Sequence, residues 1–374
     1  MTQAWLDTWL DAVARAGLDT PVVLVDVDRV DANIARMAAT MRERGVALRP
    51  HAKTHKSLEV ARRQLAAGAV GLTVATIGEA EVFAAGGIDD LFIAFPVIAG
   101  AAKAERLRAL AARCRLSVGL DSVEGVEALA AAFRGEAPAR VLIEIDSGGA
   151  RSGVLPEAAG ALARRAVDRG LDVRGVFTHA GQGYADPARR SAAADEEVAG
   201  LAMAAESLRR EGIEPAVVSA GSTPTAVLSA RAPVTEERPG TYVLGDRQQT
   251  VLAGEPSGFD ESVALVVAAT VVSHGTRGGF LVDAGAKVLT KDVAPYLAGH
   301  GVVLGYPDAV LTRVNDHHGT AEVPAGTARP AIGEVVCIVP NHVCPVVNLV
   351  DELVVVSGGR VVDRWPVDAR GRNA

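Results

Sequence analysis

From residue 22 to residue 247, short apolar runs alternate with helical patterns, and this alternation restricts the fold more than any other feature of the chain. The strand candidates are Val22–Asp26, Ala47–Ala52, Gly71–Ile77, Asp90–Phe95, Arg115–Asp121, Arg140–Asp146, Asp172–His179, Ala216–Ser219 and Thr241–Gly245. Helical stretches such as Val30–Arg44, Ala101–Cys114, Glu157–Arg169 and Ala188–Arg210 lie between them. Gly45, Gly68, Gly87 and Gly170 follow helical patterns, where a left-handed cap is favoured. Strands rich in Val, Leu and Ile, separated by helices, imply an α/β protein with a parallel sheet covered by helices. The tally is one strand above the eight of a (β/α)8 TIM-type barrel, which is the fold expected here. An open doubly wound sheet is the rival, but no G-x-G-x-x-G follows an early strand. After about residue 248 the helical periodicity fades. Ser262–Ser273, Gly279–Asp283, Glu334–Val339 and Val350–Ser357 read as strands, with Gly358-Gly359 as a hairpin turn before Arg360–Arg364. A second, mostly β domain is therefore expected.

Composition narrows the function. The 374 residues are 49% hydrophobic and 22% charged, enough for a sizeable core. A net charge of −7 argues against a nucleic-acid partner, which needs a basic face. Three cysteines, Cys114, Cys337 and Cys344, make no disulfide framework and point to a reducing compartment. The N-terminal stretch to Ala16 is amphipathic and carries Asp7 and Asp11, unlike a signal peptide. No apolar run reaches the length of a membrane span. A cytoplasmic protein without a membrane partner is expected.

Five places carry candidate chemistry. In Arg49-Pro50-His51-Ala52-Lys53-Thr54-His55-Lys56, Lys53 stands at the C-terminal end of a strand candidate, the end where barrels keep their active sites. Its amine can form a Schiff base with an aldehyde cofactor or a carbonyl substrate; a solvated basic loop is the plain alternative. Arg151 lies in the glycine-rich loop Ser147-Gly148-Gly149-Ala150-Arg151-Ser152-Gly153 and can bond a cofactor oxygen; a surface loop is the alternative. His179 closes a strand candidate and can stack on an aromatic ring or sit as a satisfied core histidine. Gly221, Ser222 and Thr223, with Arg238-Pro239-Gly240-Thr241-Tyr242 downstream, suit a phosphate through backbone N–H groups and hydroxyls; an N-cap turn is the alternative. Finally, Pro340-Asn341-His342-Val343-Cys344-Pro345 places a His-x-Cys pair on what reads as an extended segment, one face of which would carry both side chains. An imidazole and a thiolate suit zinc or another borderline-soft ion. Asp316, His317 and His318 could add ligands or a base.

Taken in order, R-P-H-A-K-T-H-K, G-x-x-R-x-G, a strand ending in His, G-S-T-P-T, P-G-x-Y, N-D-x-H-G and P-x-H-x-C-P-x-x-N-L resemble the D-threonine aldolase / D-serine dehydratase family. These are fold-type III, alanine-racemase-like enzymes that use pyridoxal 5'-phosphate (PLP). The resemblance spans about residues 20 to 370. It implies that Lys53 holds PLP, that Arg151 contacts its phenolic oxygen and that His179 lies near the ring. Gly221, Ser222, Thr223, Gly240 and Tyr242 would hold the phosphate. His342 and Cys344 would bind a divalent metal (zinc, manganese or magnesium), with Asp316 and His318 nearby and His318 a candidate base. The first strand would belong with the β domain, giving a barrel over 28–247 and a β domain over 1–27 plus 248–374. The expected function is a PLP- and metal-dependent lyase on D-3-hydroxy amino acids, working as a homodimer. D-threonine aldolase is preferred, with D-serine or D-3-hydroxyaspartate dehydratase as the alternative. His-x-Cys is the dehydratase form of the metal pair, while the surrounding segment resembles the aldolases. A racemase and a PLP carrier are more distant readings.

Overall fold

The computed structural model describes residues 2–255, 258–275 and 278–374. The chain divides into two compact units, Met1–Ala35, Thr54–Glu59 and Thr241–Arg370 in one, and Arg36–Lys53, Val60–Gly240 and Gly371–Ala374 in the other. The chain opens with a helix, Gln3–Ala16, and strand β1, Val22–Asp26.

The second of these units is a parallel eight-stranded sheet. Its strands are β2 (Ala47–Leu48), β3 (Leu72–Val74), β4 (Asp90–Pro96), β5 (Arg115–Leu120), β6 (Arg140–Glu144), β7 (Asp172–Phe177), β8 (Val217–Ala220) and β9 (Glu236–Glu237). They run in the order β2-β9-β8-β7-β6-β5-β4-β3. A parallel bridge from His51 to Thr73 links the two ends, as a TIM-type barrel requires.

Two sequence expectations change here. The strand expected over Thr241–Gly245 is instead a 3-10 turn, Thr241–Val243, and the eighth barrel strand is Glu236–Glu237. Two adjacent glutamates carry no apolar strand pattern. They form a strand because Glu236 meets the Arg49 guanidinium (2.7 Å) and the Ser219 hydroxyl (2.7 Å), and Glu237 accepts from the Ser229 hydroxyl (2.7 Å). The strand expected over Ala47–Ala52 stops at Leu48. Pro50 has no N–H for a ladder, although its carbonyl still accepts from Thr73 (2.8 Å).

The barrel interior is filled by side chains, among them Phe92, Leu142 and Phe177. Phe92 and Phe177 meet edge to face at 5.0 Å, and the Arg238 guanidinium lies 5.8 and 5.3 Å from the two rings. Gly119 makes room for this stack, because a Cβ there would stand 2.7 Å from the Phe177 ring.

The other unit is built on a nine-stranded sheet with β1, β10 (Leu265–Ser273), β11 (Phe280–Val282), β12 (Gly301–Val303), β13 (Val310–Val314), β14 (Gly319–Glu322), β15 (Val335–Pro340), β16 (Glu352–Ser357) and β17 (Arg360–Pro366). Strand β1 lies between β10 and β16, so the first strand of the chain joins the C-terminal strands. Trp5 and Trp9 of the N-terminal helix pack edge to face at 6.1 Å within the cluster formed by Leu24, Val266, Val339 and Val354. That burial is what the amphipathic pattern required. Among the described residues, no helix is long and apolar enough to cross a membrane.

The Phe177 ring is fully packed and cannot yield to a methyl group. Gly119→Ala is therefore expected to destabilise the chain by about 1–3 kcal/mol, read as a lower urea midpoint with an unchanged m-value; an unaltered midpoint would show that the stack rearranges freely.

Candidate active site

In the barrel unit, Lys53 occupies a 3-10 turn, Ala52–Thr54, just beyond β2 and the His51 bridge. It is partly buried, and it acts on the charge of His179 together with Arg151 and Arg238. His179 follows β7. Its Nδ1 lies 2.7 Å from the Gly221 carbonyl, so Nδ1 carries the proton and donates. Burial first, then the positive charges of Lys53, Arg151 and Arg238, drive its pKa down to about 3. The imidazole is therefore neutral at physiological pH.

Arg238 is almost wholly buried and donates to the Ser219 hydroxyl and the Thr178 carbonyl. Burial pushes its pKa down, and Glu236, Glu237, Glu197 and Glu144 push it back up. Arg151 is different. Its side chain is 61% exposed and lies 3.7 Å from the Glu144 carboxylate.

The expected phosphate segment is already closely bonded within itself. The Gly221 N–H donates to Glu197 (2.9 Å), so this donor is committed. Ser222 shares a hydrogen bond with Thr225 (2.8 Å), whose hydroxyl reaches Glu197 (2.8 Å). The Gly240 N–H donates to the Thr223 hydroxyl (3.2 Å), which ties the two expected phosphate loops together.

The metal candidates lie in the other unit, where Tyr242 is buried in the 3-10 turn after Gly240. The expectation of an extended His-x-Cys segment is corrected. His342 is the extended N-cap residue of a short helix, Val343–Val347, and Cys344 lies inside that helix. A strand-to-helix turn brings the two together, and they hydrogen-bond through their side chains. Asp292 accepts from His342 Nδ1 at 2.7 Å. Burial lowers the His342 pKa, but the Cys344 thiolate, the bonds to Asp292 and Cys344, and the charge of Asp246 outweigh it and raise the value to about 11. Thr54 and Thr241 place hydroxyls 3.2 and 3.7 Å from Cys344 Sγ.

Asp316, His317 and His318 occupy an exposed turn between β13 and β14, where Asp316 lies 3.6 Å from Lys287. Among the described residues, no three His, Cys, Asp or Glu side chains form a ready metal cluster. Lys56, the other lysine of the motif, is buried at φ 49° with its ammonium on Asn348 (2.8 Å). That contact gives it a structural task.

Sequence reading passed over Arg238 as a side chain with a role, and over Glu197, Asp246 and Asp292. Only Asp246 had a legible signal. It is the N-cap of the helix Arg247–Leu252 in a D-x-x-Q pattern, and its carboxylate accepts from Gln249 (2.8 Å) and from Val343 (3.0 Å).

With this geometry in hand, comparison with known proteins is informative. Residues 25–248 match the alanine racemase N-terminal domain, and residues 264–356 match a serine dehydratase domain. The chain is 40% identical to the D-threo-3-hydroxyaspartate dehydratase of Delftia sp. over 87% of its own length and 91% of that protein's. It is 36% identical to the D-threonine aldolase of an Arthrobacter species over 96% and 94%. The crystal structure of the D-threonine aldolase from Filomicrobium marinum shares 34% identity and a TM-score of 0.83, covering 95% of this chain and 96% of that one. The chain belongs to the alanine-racemase-like, fold-type III family of PLP-dependent enzymes.

The residues present suit that cofactor. An amine, two guanidiniums and an uncharged buried imidazole make a cationic setting for an anionic aldehyde. The second donor set, an imidazole held by a carboxylate beside a thiolate, suits a borderline-soft divalent ion.

The lowered His179 pKa gives a direct test. In the cofactor-free protein with labelled histidine, the His179 ring resonances should stay constant through pH 6.5 and titrate only near 3. A midpoint near 6.5 would mean that the imidazole is solvated.

Proposed function

We propose that the chain is a PLP- and divalent-metal-dependent lyase of D-3-hydroxy amino acids, and that it cleaves D-threonine to glycine and acetaldehyde. The observation that carries this reading is the presence in one chain of Lys53 beside a neutral His179 and of the His342–Cys344 pair. A racemase needs the first and has no use for the second. The Delftia and Arthrobacter relatives are named as lyases whose D-amino acids carry a β-hydroxyl, and both match nearly end to end. A cysteine-to-alanine variant of a D-threo-3-hydroxyaspartate dehydratase is described in a metal-free form, which supports Cys344 as a ligand here.

PLP, when bound, supplies a sink for the electron pair left on Cα, and the metal supplies a Lewis acid at the β-oxygen. The chain provides the rest. Lys53 holds the cofactor through its amine. His179 presents an uncharged ring whose tilt is set by the Gly221 carbonyl. Arg151 serves the phenolic oxygen. Gly221, Ser222, Thr223, Gly240 and Tyr242 enclose the phosphate, with Gly221 contributing closeness of backbone because its N–H is spent on Glu197. His342 and Cys344 hold the metal, and His318 is the candidate base for the hydroxyl proton.

Dehydration is the second reading, favoured by the cysteine at the second metal position; there Lys53 would take the α-proton.

Incubation with D-threonine, PLP and zinc or manganese separates the reactions. Glycine and acetaldehyde are expected; 2-oxobutanoate and ammonia would establish the dehydratase, and L-threonine alone a racemase. Lys53→Ala should remove the visible absorbance of the bound cofactor and lower turnover by about a thousandfold or more. If both persist, the assignment of Lys53 fails. Cys344→Ala should weaken zinc binding and leave PLP in place, and full retention of zinc affinity would remove Cys344 from the ligand set.

A further inference from the structure

Asp292 is held in place from several directions. It follows Thr290, whose backbone adopts φ 67°, a left-handed conformation that a β-branched residue rarely accepts. The Thr290 hydroxyl accepts from the Asp292 N–H (3.2 Å). The Asn341 side-chain amide donates to the Asp292 carbonyl (2.9 Å) and to the Gly299 carbonyl (2.8 Å). The next residue, His342, donates through Nδ1 to the Asp292 carboxylate (2.7 Å). Two consecutive residues at the end of β15 thus grip the backbone and the side chain of one aspartate. An aspartate held at its N–H, its carbonyl and its carboxylate, two residues beyond the strained Thr290, is fixed more firmly than a solvated ion pair requires.

The Asp292 side chain is 46% exposed and that of His342 32%. An ion pair this open to water contributes at most about 1 kcal/mol, too little to account for the strained, multiply bonded loop. A carboxylate on one imidazole nitrogen does have a known consequence: it fixes the ring and its tautomer, leaving the other nitrogen for a metal.

We infer that Asp292 is a positioning residue for the metal pair: it holds the proton on His342 Nδ1, fixes the ring plane, and so presents Nε2 beside Cys344 Sγ to a divalent ion. This inference rests on the metal-dependent reading of the site. It requires no change in Lys53, His179 or the phosphate loops.

The test uses the full-length PLP-loaded protein and its Asp292→Asn, Asp292→Glu and His342→Ala variants, titrated with zinc and with manganese by calorimetry. Nitrogen NMR of labelled histidine reads the His342 tautomer in the zinc-loaded protein, where the ion displaces the proton of one ring nitrogen. Asp292→Asn is expected to keep the PLP absorbance and the thermal midpoint and to bind zinc roughly 10–100-fold more weakly. The His342 ring should no longer be locked with its proton on Nδ1, and Asp292→Glu should restore part of the affinity. Zinc affinity within threefold of the parent, with the Nδ1-protonated tautomer unchanged, would overturn the role of Asp292. A parent protein whose zinc affinity is unaffected by His342→Ala would instead remove the metal site itself, and the inference with it.

Discussion

The barrel unit depends on one buried guanidinium. Arg238 enters the barrel interior, lies over the rings of Phe92 and Phe177, and donates to Ser219 and Thr178 at the ends of β8 and β7. A charge so placed is costly unless compensated. The compensation comes from Glu236, Glu237, Glu197 and Glu144 around it. Burial and the neighbouring Glu197 raise the Glu237 pKa well above the ordinary carboxylate range, so this carboxyl retains its proton more readily than an exposed one. The same Glu197 orders the expected phosphate loop by accepting from Gly221 and Thr225. Glu197 therefore serves the core charge through its field and the expected phosphate loop through its hydrogen bonds. This explains why the barrel's last strand is two glutamates rather than an apolar run.

His179 shows what such a network does for chemistry. Its neutrality follows from dryness and from three neighbouring cations, and its orientation from a single carbonyl. In the β unit the logic is reversed. His342 sits with Cys344 and the carboxylates of Asp292 and Asp246, which favour its charged form. One chain therefore holds one histidine neutral and another ionised, through environment alone.

Much of this was legible in the residues themselves. Period and composition were enough for the barrel strands from β3 to β8, for the amphipathic N-terminal helix and for β10, β11, β15, β16 and β17, but not for β12 to β14, because apolar periodicity reports directly on burial and those three strands are short or partly exposed. The resemblance of the motifs was enough for the family, since each motif is weak singly and their order is specific. The β9 strand was not legible: its glutamates are buried only because Arg49, Ser219 and Ser229 arrive from other elements. Nor was the helical turn at Cys344, because Val343-Cys344-Pro345-Val346-Val347 is β-branched and carries a proline, and both features point away from a helix. Asp246 overrides that preference by accepting the Val343 N–H.

What the sequence by itself determined is the alternation that closes a barrel, the β unit that recruits its first strand, and which amine, imidazoles and thiol are available for catalysis. What only the tertiary structure decided is their state: which histidine is charged, which N–H groups remain for a ligand, and which aspartate holds His342. The reason is physical. Periodicity is a property of neighbours along the chain, whereas desolvation and Coulomb interaction depend on distances between residues that the sequence leaves far apart, such as 42 positions for His179 and Gly221 and 50 for Asp292 and His342.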